Sequence, residues 1–449
     1  MSIKKTLLVC FLLLSLTVIS IWLVSRINPP IMQKTIGTEN FGDIAVAEPA
    51  WGSQGLILVF VDTKKFRSSE LAHRLAATGV TTAIIDSQQF FKSFIAETGQ
   101  CVDANRVAVF IEALVKVLPS PTLNRLIVAG IAEGALIPFL NAQSSSENAI
   151  QNISIGFSIN VPNHLALCPP LSIQGQNHSL MSSSGLESNW RSVWSDQPDD
   201  ETAIFIRELG NIDTRIAPYD TPLDTLLVEE LKANSKQTGQ ASPPMPVVEL
   251  PVAKPTDNVT LFYSGDGGWR DLDRTVAGEM AAANYPVVGV DVLRYFWEHK
   301  TPEQAAADLS STMAYYRKSW GTKTFILAGY SFGADILPAI YNRLPAQDKD
   351  SVALLALIAL AKTADFEIHV SGWLGQDADG LSLSPELAQI PRNKIFCVYG
   401  HDEKAETACT SLLNSEANIL ELPGGHHFDQ DYPKLTRQIL EVYRQHGID

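Results

Sequence analysis

Short apolar runs alternate with stretches of helical spacing along most of the 449-residue chain, and the alternation occurs twice. In the first half, residues 55–61 form a continuous apolar run of strand length. An amphipathic stretch follows (Leu71, Leu75, Ala76), then the strand-like residues 81–86, then a helical pattern over 107–117. The run 125–129 closes the series and enters Gly130-Ile131-Ala132-Glu133-Gly134. In the second half, the run 259–263 precedes helical spacing over 271–283 (Leu272, Val276, Met280). Next come the apolar residues 287–291 and a second helical stretch, 304–320, with Leu309, Met313 and Tyr316 inward. The run 324–327 leads into Gly329-Tyr330-Ser331-Phe332-Gly333. Residues 352–361, 394–399 and 418–422 read as three further strands. Apolar strands separated by helices imply parallel sheets covered on both faces. The expected fold class is α/β, with two domains of mostly parallel sheet.

The flanks of these patterns suggest the boundaries. Lys4-Lys5 precede an uncharged apolar run over 7–24, so residues 1–27 read as a signal peptide or signal anchor. The two lysines orient the rest of the chain outside the cytoplasm. No small-residue cleavage site stands near Ser25, which favours an uncleaved anchor, and Cys10 lies too early to be a lipid-modified cysteine. Residues 28–50, polar and opened by Pro29-Pro30, read as a tether, and 51–235 as the first domain. Residues 236–256 carry Pro243, Pro244, Pro246, Pro251 and Pro255 and read as a linker; 257–449 is the second domain.

A net charge of −15 argues against a nucleic-acid partner, which would demand clustered Lys and Arg. Four of the five cysteines fall in the exported part, so disulfides are expected there. Cys397 and Cys409 are close in sequence across the end of a strand, and Cys101 with Cys168 remains by elimination.

Strand, Gly-x-Ser-x-Gly and helix in succession are the context of a nucleophile elbow at Ser331. The Phe332 N–H, at the helix start, and the glycine loop Ser264-Gly265-Asp266-Gly267-Gly268-Trp269 are candidate oxyanion donors, with Gly265, Asp266 and Gly267 nearest. Asp266, Trp269 and Tyr330 are candidate substrate-binding residues, Asp266 for a cationic group. Asp335 lies in the first helical turn, where its carboxylate can complement the helix N-terminus or meet a substrate ammonium, the former being preferred. Asp402 and Glu403 both follow the strand at 394–399, and either qualifies as the acid that orients a histidine. His426 and His427 lie in the glycine loop after the last strand, with His426 preferred as base because it follows Gly425 directly. The order Ser, Asp/Glu, His is that of α/β hydrolases. Adjacent histidines seldom serve as co-ligands and no Cys/His cluster completes a zinc site, so no metal or cofactor is expected. In the first half Ala132 stands where Ser331 stands in the second, and a methyl group cannot attack a carbonyl. That half reads as a degenerate copy lacking its nucleophile.

Four strings together resemble the AcvB/VirJ family of periplasmic bacterial virulence proteins. They are Ser264-Gly265-Asp266-Gly267-Gly268-Trp269, the segment from Gly329 to Asp335, Phe366-Glu367-Ile368-His369 with Gly372-Trp373-Leu374-Gly375, and Gly424-Gly425-His426-His427-Phe428. The resemblance covers 257 to the end, and the first half is similar to the extra domain of the longer, AcvB-type members. It implies an α/β-hydrolase fold, a link to virulence and type IV secretion, and hydrolysis of aminoacylated phosphatidylglycerol, chiefly lysyl-phosphatidylglycerol, at the inner-membrane surface. Secretion-system components are the implied partners. Two other readings stand beside it: a non-enzymatic docking factor for secretion, and a general lipase or esterase.

Overall fold

Fully apolar strands need cover on both faces, and the helices between them supply it. The structure is a computed structural model and describes residues 30–50, 52–98, 101–118, 125–144, 150–160, 165, 189–209, 212–233, 243–254, 256–368 and 380–447. The chain divides into two units, residues 1–215 with 221–237, and 216–220 with 238–449. The apolar run 7–24 lies outside the described residues. Among the described residues no helix is long and apolar enough to cross a membrane.

The first unit is built on an eight-stranded sheet. Its strands are β1 (Ile31–Thr38), β2 (Gly42–Pro49), β3 (Leu56–Val61), β4 (Thr81–Asp86), β5 (Leu126–Ile131), β6 (Ile150–Ile155), β7 (Trp190–Trp194) and β8 (Asp213–Ile216). They are ordered β1-β2-β4-β3-β5-β6-β7-β8. β2 runs antiparallel to β1 and β4, and the ladder from β4 through β7 is parallel.

Two expectations change here. Residues 28–50 are not a tether, since 31–49 form the β1–β2 hairpin at the sheet edge. Phe41, Ile44 and Val46 are buried while β1 stays largely exposed, so only half of the hairpin carries an apolar signal. Beyond residue 142, where the chain turns polar, three more strands continue the sheet. In β6 the buried polar side chains are hydrogen-bonded within the unit, with Asn152 Nδ2 as the exception. Asn141 Nδ2 donates to Asn152 Oδ1 (2.8 Å), Ser154 Oγ to the Ala135 carbonyl (2.7 Å), and Trp190 Nε1 to Ser154 Oγ (2.8 Å). Hydrogen-bonded polar residues cost little in a core, and they conceal a buried strand from hydropathy.

The second unit contains β9 (Val247–Leu250), β10 (Asn258–Tyr263), β11 (Val287–Val290), β12 (Thr324–Tyr330), β13 (Val352–Ile358), the ribbon β14 (Thr363–Ala364) with β15 (Leu381–Ser382), β16 (Ile395–Gly400) and β17 (Asn418–Leu422). Its main sheet has the order β17-β16-β13-β12-β10-β11-β9. All of these strands are parallel except β9, which pairs antiparallel with β11. β9 corrects the assignment of 236–256 as linker. Its prolines flank an edge strand, where a missing N–H is tolerated. Met245 is buried beside it, and Pro246 accepts from the Asp291 N–H (3.0 Å).

Set against each other, β2-β4-β3-β5-β6-β7-β8 answers β9-β11-β10-β12-β13-β16-β17 position for position. Both units have the α/β-hydrolase sheet order, and the first carries one additional edge strand.

Candidate active site

β12 ends at Tyr330 and the next helix runs Phe332–Arg343, so a single residue, Ser331, makes the turn. It does so at φ 53° and ψ −124°, in a region that L-residues other than glycine rarely occupy. Its N–H donates to the Ile358 carbonyl (2.9 Å), and its carbonyl accepts from Ala334 (2.7 Å) and Asp335 (3.0 Å). The flanking glycines are required by close approach. A Cβ on Gly329 would lie 2.3 Å from the Gly333 carbonyl oxygen, and one on Gly333 would lie 2.4 Å from that of Tyr263. The first unit keeps the same turn, with Ala132 also at φ 53°. The strain is retained there without the hydroxyl.

His426 lies on the loop after β17. Its Nε2 is 2.8 Å from Ser331 Oγ, and its Nδ1 is 2.7 Å from Glu403 Oε1. The two acids left open by the sequence are therefore distinguished. The short turn His401–Glu403 after β16 directs Glu403 to the imidazole, while the Asp402 backbone N–H donates to the Gly424 carbonyl (3.1 Å). Asp402 thus joins the acid loop to the histidine loop through its main chain. Of the two histidines, His427 is turned away, with its Nδ1 3.1 Å from Tyr330 Oη. The same hydroxyl donates to the His426 carbonyl (3.3 Å), so Tyr330 holds the loop on which His426 rides. His401 pairs with Glu421 (2.6 Å). Hydrogen bonds from Tyr399, His401 and Lys404 hold the Glu421 carboxyl down at about 2.

A disulfide joins Cys397 of β16 to Cys409, with Cα atoms 5.6 Å apart, and closes the loop that contains Glu403. Cys101 is also disulfide-bonded. Cys168, the partner expected from the sequence, lies outside the described residues, as do His369 and the string from Gly372 to Gly375.

The Phe332 N–H is the first of its helix, among the groups that a helix leaves unpaired. The glycine loop rests on Ser331, since a Cβ on Gly265 would lie 3.9 Å from Ser331 Cβ and 3.3 Å from the Tyr330 ring. The Gly265 N–H, however, faces the Asp273 carboxylate. The Asp266 and Gly267 amides are then the loop's remaining candidate donors. Trp269 is not a substrate contact. It is buried, edge-on to Phe262 (6.1 Å), and fills the space above Gly289, where a Cβ would lie 2.2 Å from the indole ring. Asp335 accepts from the Ala361 N–H (2.7 Å), so its carboxylate links the helix to the segment after β13 instead of capping its own helix. Burial raises its carboxyl well above the usual range, with Asp266 and Glu403 adding to the effect.

Ser331, His426, His427 and Tyr330 border a cleft of about 360 Å³ whose other wall is the glycine loop and the residues after it. That wall carries Asp266, Asp271 and Asp273, with Arg270 as its cation. The Arg270 guanidinium stacks on the Tyr219 ring (5.0 Å to the centroid) and lies 3.8 Å from Asp271. Sequence reasoning singled out Asp266 but neither Asp271 nor Asp273. Both sit in the first turn of the helix Asp271–Ala282, where acids are common for reasons of the helix dipole alone.

Comparison with known proteins gives one family. Residues 257–446 match the family described as bacterial virulence protein (VirJ). No curated protein matches the chain. Among solved structures, the chain is similar to a putative dienelactone hydrolase from Klebsiella pneumoniae (14% identity over 45% of this chain and 90% of that one, TM-score 0.31). It is also similar to Est1E from Butyrivibrio proteoclasticus bound to ferulic acid (13%, 46% and 96%, TM-score 0.33). A third similar structure is a proline iminopeptidase from Mycobacterium smegmatis (10%, 44% and 94%, TM-score 0.33).

Proposed function

Through residues 257–446 this chain belongs to the VirJ family of bacterial virulence proteins, and on that premise we propose that it is a serine hydrolase cleaving the aminoacyl ester of lysyl-phosphatidylglycerol. The observation that carries the reading is the hydrogen-bonded series Ser331 Oγ, His426 Nε2, His426 Nδ1, Glu403 Oε1 at the edge of a cleft. A serine hydroxyl is a weak nucleophile until a base takes its proton, and that base needs a carboxylate to orient it and stabilise its charge. His426 removes the Ser331 proton as Oγ attacks the lysyl carbonyl carbon. The Phe332 amide and the loop amides of Asp266 and Gly267 hold the oxyanion. The proton passes from His426 to the departing glycerol oxygen, releasing phosphatidylglycerol and leaving lysyl-Ser331. Water, deprotonated by His426, then attacks the acyl carbon, and His426 returns that proton to Ser331 Oγ as the acyl–Oγ bond breaks and lysine leaves.

Three aspartates on the cleft wall support an amino acid over a fatty acyl chain, which would call for an apolar groove. The apolar run 7–24 supports a periplasmic enzyme held at the inner membrane, where this substrate resides. For the first unit, the intact turn at Ala132 supports a retained fold used for docking secretion components instead of chemistry.

The test is release of free lysine from lysyl-phosphatidylglycerol in mixed micelles. Wild type should release it, and Ser331→Ala should lower the rate by about 10⁴-fold or more. Equal release by both would place the chemistry elsewhere. Free fatty acid in place of lysine would make the protein a lipase.

A further inference from the structure

By sheet order β3 of the first unit answers β10 of the second, where the strand leads into the glycine loop beside Ser331. After β3 the chain reads Asp62-Thr63-Lys64-Lys65-Phe66-Arg67, with no glycine and with three cations and an aromatic ring in its last four residues. We infer that the loop from Lys64 to Arg67 is a membrane-docking surface that binds the anionic headgroups of the bilayer in which residues 7–24 are anchored; this draws on the anchor reading above and not on the chemistry at Ser331.

Local geometry is the first argument. The acids of the loop face inward and build it. Asp62 is only 8% exposed; its Oδ1 accepts from the Lys64 N–H (3.0 Å), and its carbonyl accepts from the Lys65 (3.0 Å) and Phe66 (3.1 Å) amides. Asp86 accepts from the Thr63 N–H (3.1 Å) and from its hydroxyl. The cations face outward. The side chains of Lys65 and Arg67 are 75% and 89% exposed, and Lys64 is exposed between them and Thr63. Lys65 lies 3.7 Å from Asp62 and Arg67 3.6 Å from Glu70, and ion pairs this long and this exposed hold their charges only weakly. Lys65, Phe66, Arg67 and Arg74 line a hollow of about 290 Å³, which Glu70 and Asp224 share.

Reach and charge are the second argument. Gln33 of β1 is bonded to the start of the helix Ser68–Ala76: its Nε2 donates to the Ser69 carbonyl (2.9 Å), and Ser69 Oγ donates to its Oε1 (3.3 Å). Arg67 is two residues before Ser69. From residue 24, where the apolar run ends, to Gln33 is nine residues, a span of at most about 32 Å. An anchored run therefore keeps this loop close to the bilayer surface. A protein of net charge −15 is repelled by an anionic membrane, so contact requires a local excess of cations. Lysine and arginine stems with an aromatic ring among them suit the headgroup layer, which is apolar on one side and charged on the other. Phosphatidylglycerol, the lipid product of the proposed reaction, supplies the anionic charge.

The experiment places the full chain in vesicles of phosphatidylcholine, with or without phosphatidylglycerol, and acylates the exposed amines. Peptide mass spectrometry then compares Lys64 and Lys65 with Lys323, a 74% exposed lysine of the second unit. Phosphatidylglycerol should protect Lys64 and Lys65 by about fivefold relative to Lys323, the factor one basic side chain contributes at an anionic surface. High salt should abolish the protection, because exposed charges are screened. Equal labelling in the two vesicles overturns the inference and leaves the anchor reading intact. Flotation with the phosphatidylcholine vesicles reads the anchor separately: a chain that does not float has no anchor, and labelling with phosphatidylglycerol vesicles still decides the role of the loop. Protection in detergent that rises with protein concentration would make the surface a contact between copies of the chain and overturn the inference as well.

Discussion

Glu403 and Asp402 are adjacent, carry the same group and follow the same strand, yet only one reaches the imidazole. After β16 the chain enters a tight 3-10 turn, in which successive side chains point about a third of a revolution apart. The turn that aims Glu403 at His426 Nδ1 carries Asp402 past it, and the Asp402 amide is fastened to Gly424. Glu403→Gln should then lower kcat by about 10²–10⁴-fold, because the imidazole loses the anion that sets its orientation and supports its charge. Asp402→Asn keeps its main-chain bond and should stay within about threefold of wild type. Steady-state kinetics on the two variants checks this, and the reverse ranking would reassign the acid. Residue identity also separates the two units. Ala132 and Ser331 share a strained backbone, and the two turns differ by one side-chain oxygen.

The elements that deliver the three groups are of unequal firmness. Ser331 sits between a buried central strand and a helix, whereas Glu403 and His426 lie on loops beyond the outer strands β16 and β17. The Cys397–Cys409 bridge compensates on the acid's side by closing the loop around Glu403. A loop of this size is stabilised by about 3 kcal/mol in the chain-entropy account. Cys409→Ser should lower the unfolding midpoint and also reduce kcat by more than it changes KM, since the loop loses its anchor while the cleft wall is untouched. Thermal unfolding and kinetics on the same preparation separate the two effects. A variant that loses stability with kcat intact would leave the bridge a purely structural staple. On the histidine side, Tyr330 does the corresponding work through its hydroxyl.

Taken as a whole, the chain uses one sheet order twice, and the family match begins at residue 257, after β9. β9 completes the second sheet by covering the edge of β11, and Met245 beside it is buried. A fragment starting at residue 257 therefore exposes a strand edge that the native chain covers. Fragments beginning at 243 and at 257 should differ in thermal midpoint by several degrees, the longer being the more stable and the less prone to aggregate. Scanning calorimetry and light scattering on the two give the answer. Equal midpoints would show that β9 contributes nothing to the second unit.

Much of this was legible in one dimension because its causes are local. The apolar strands, the glycines around Ser331 and the alanine at position 132 depend on neighbours within a few residues, and each stands in the structure where the sequence put it. The hairpin 31–49, strand β9 and strands β6–β8 did not declare themselves. Edge strands are half exposed, and the buried Ser154 of β6 is bonded by Trp190, 36 positions away. The choice between Asp402 and Glu403 and the retreat of Trp269 into the core were also decided only by the folded chain. Each depends on which way a side chain points once distant segments meet, and no local pattern encodes that direction.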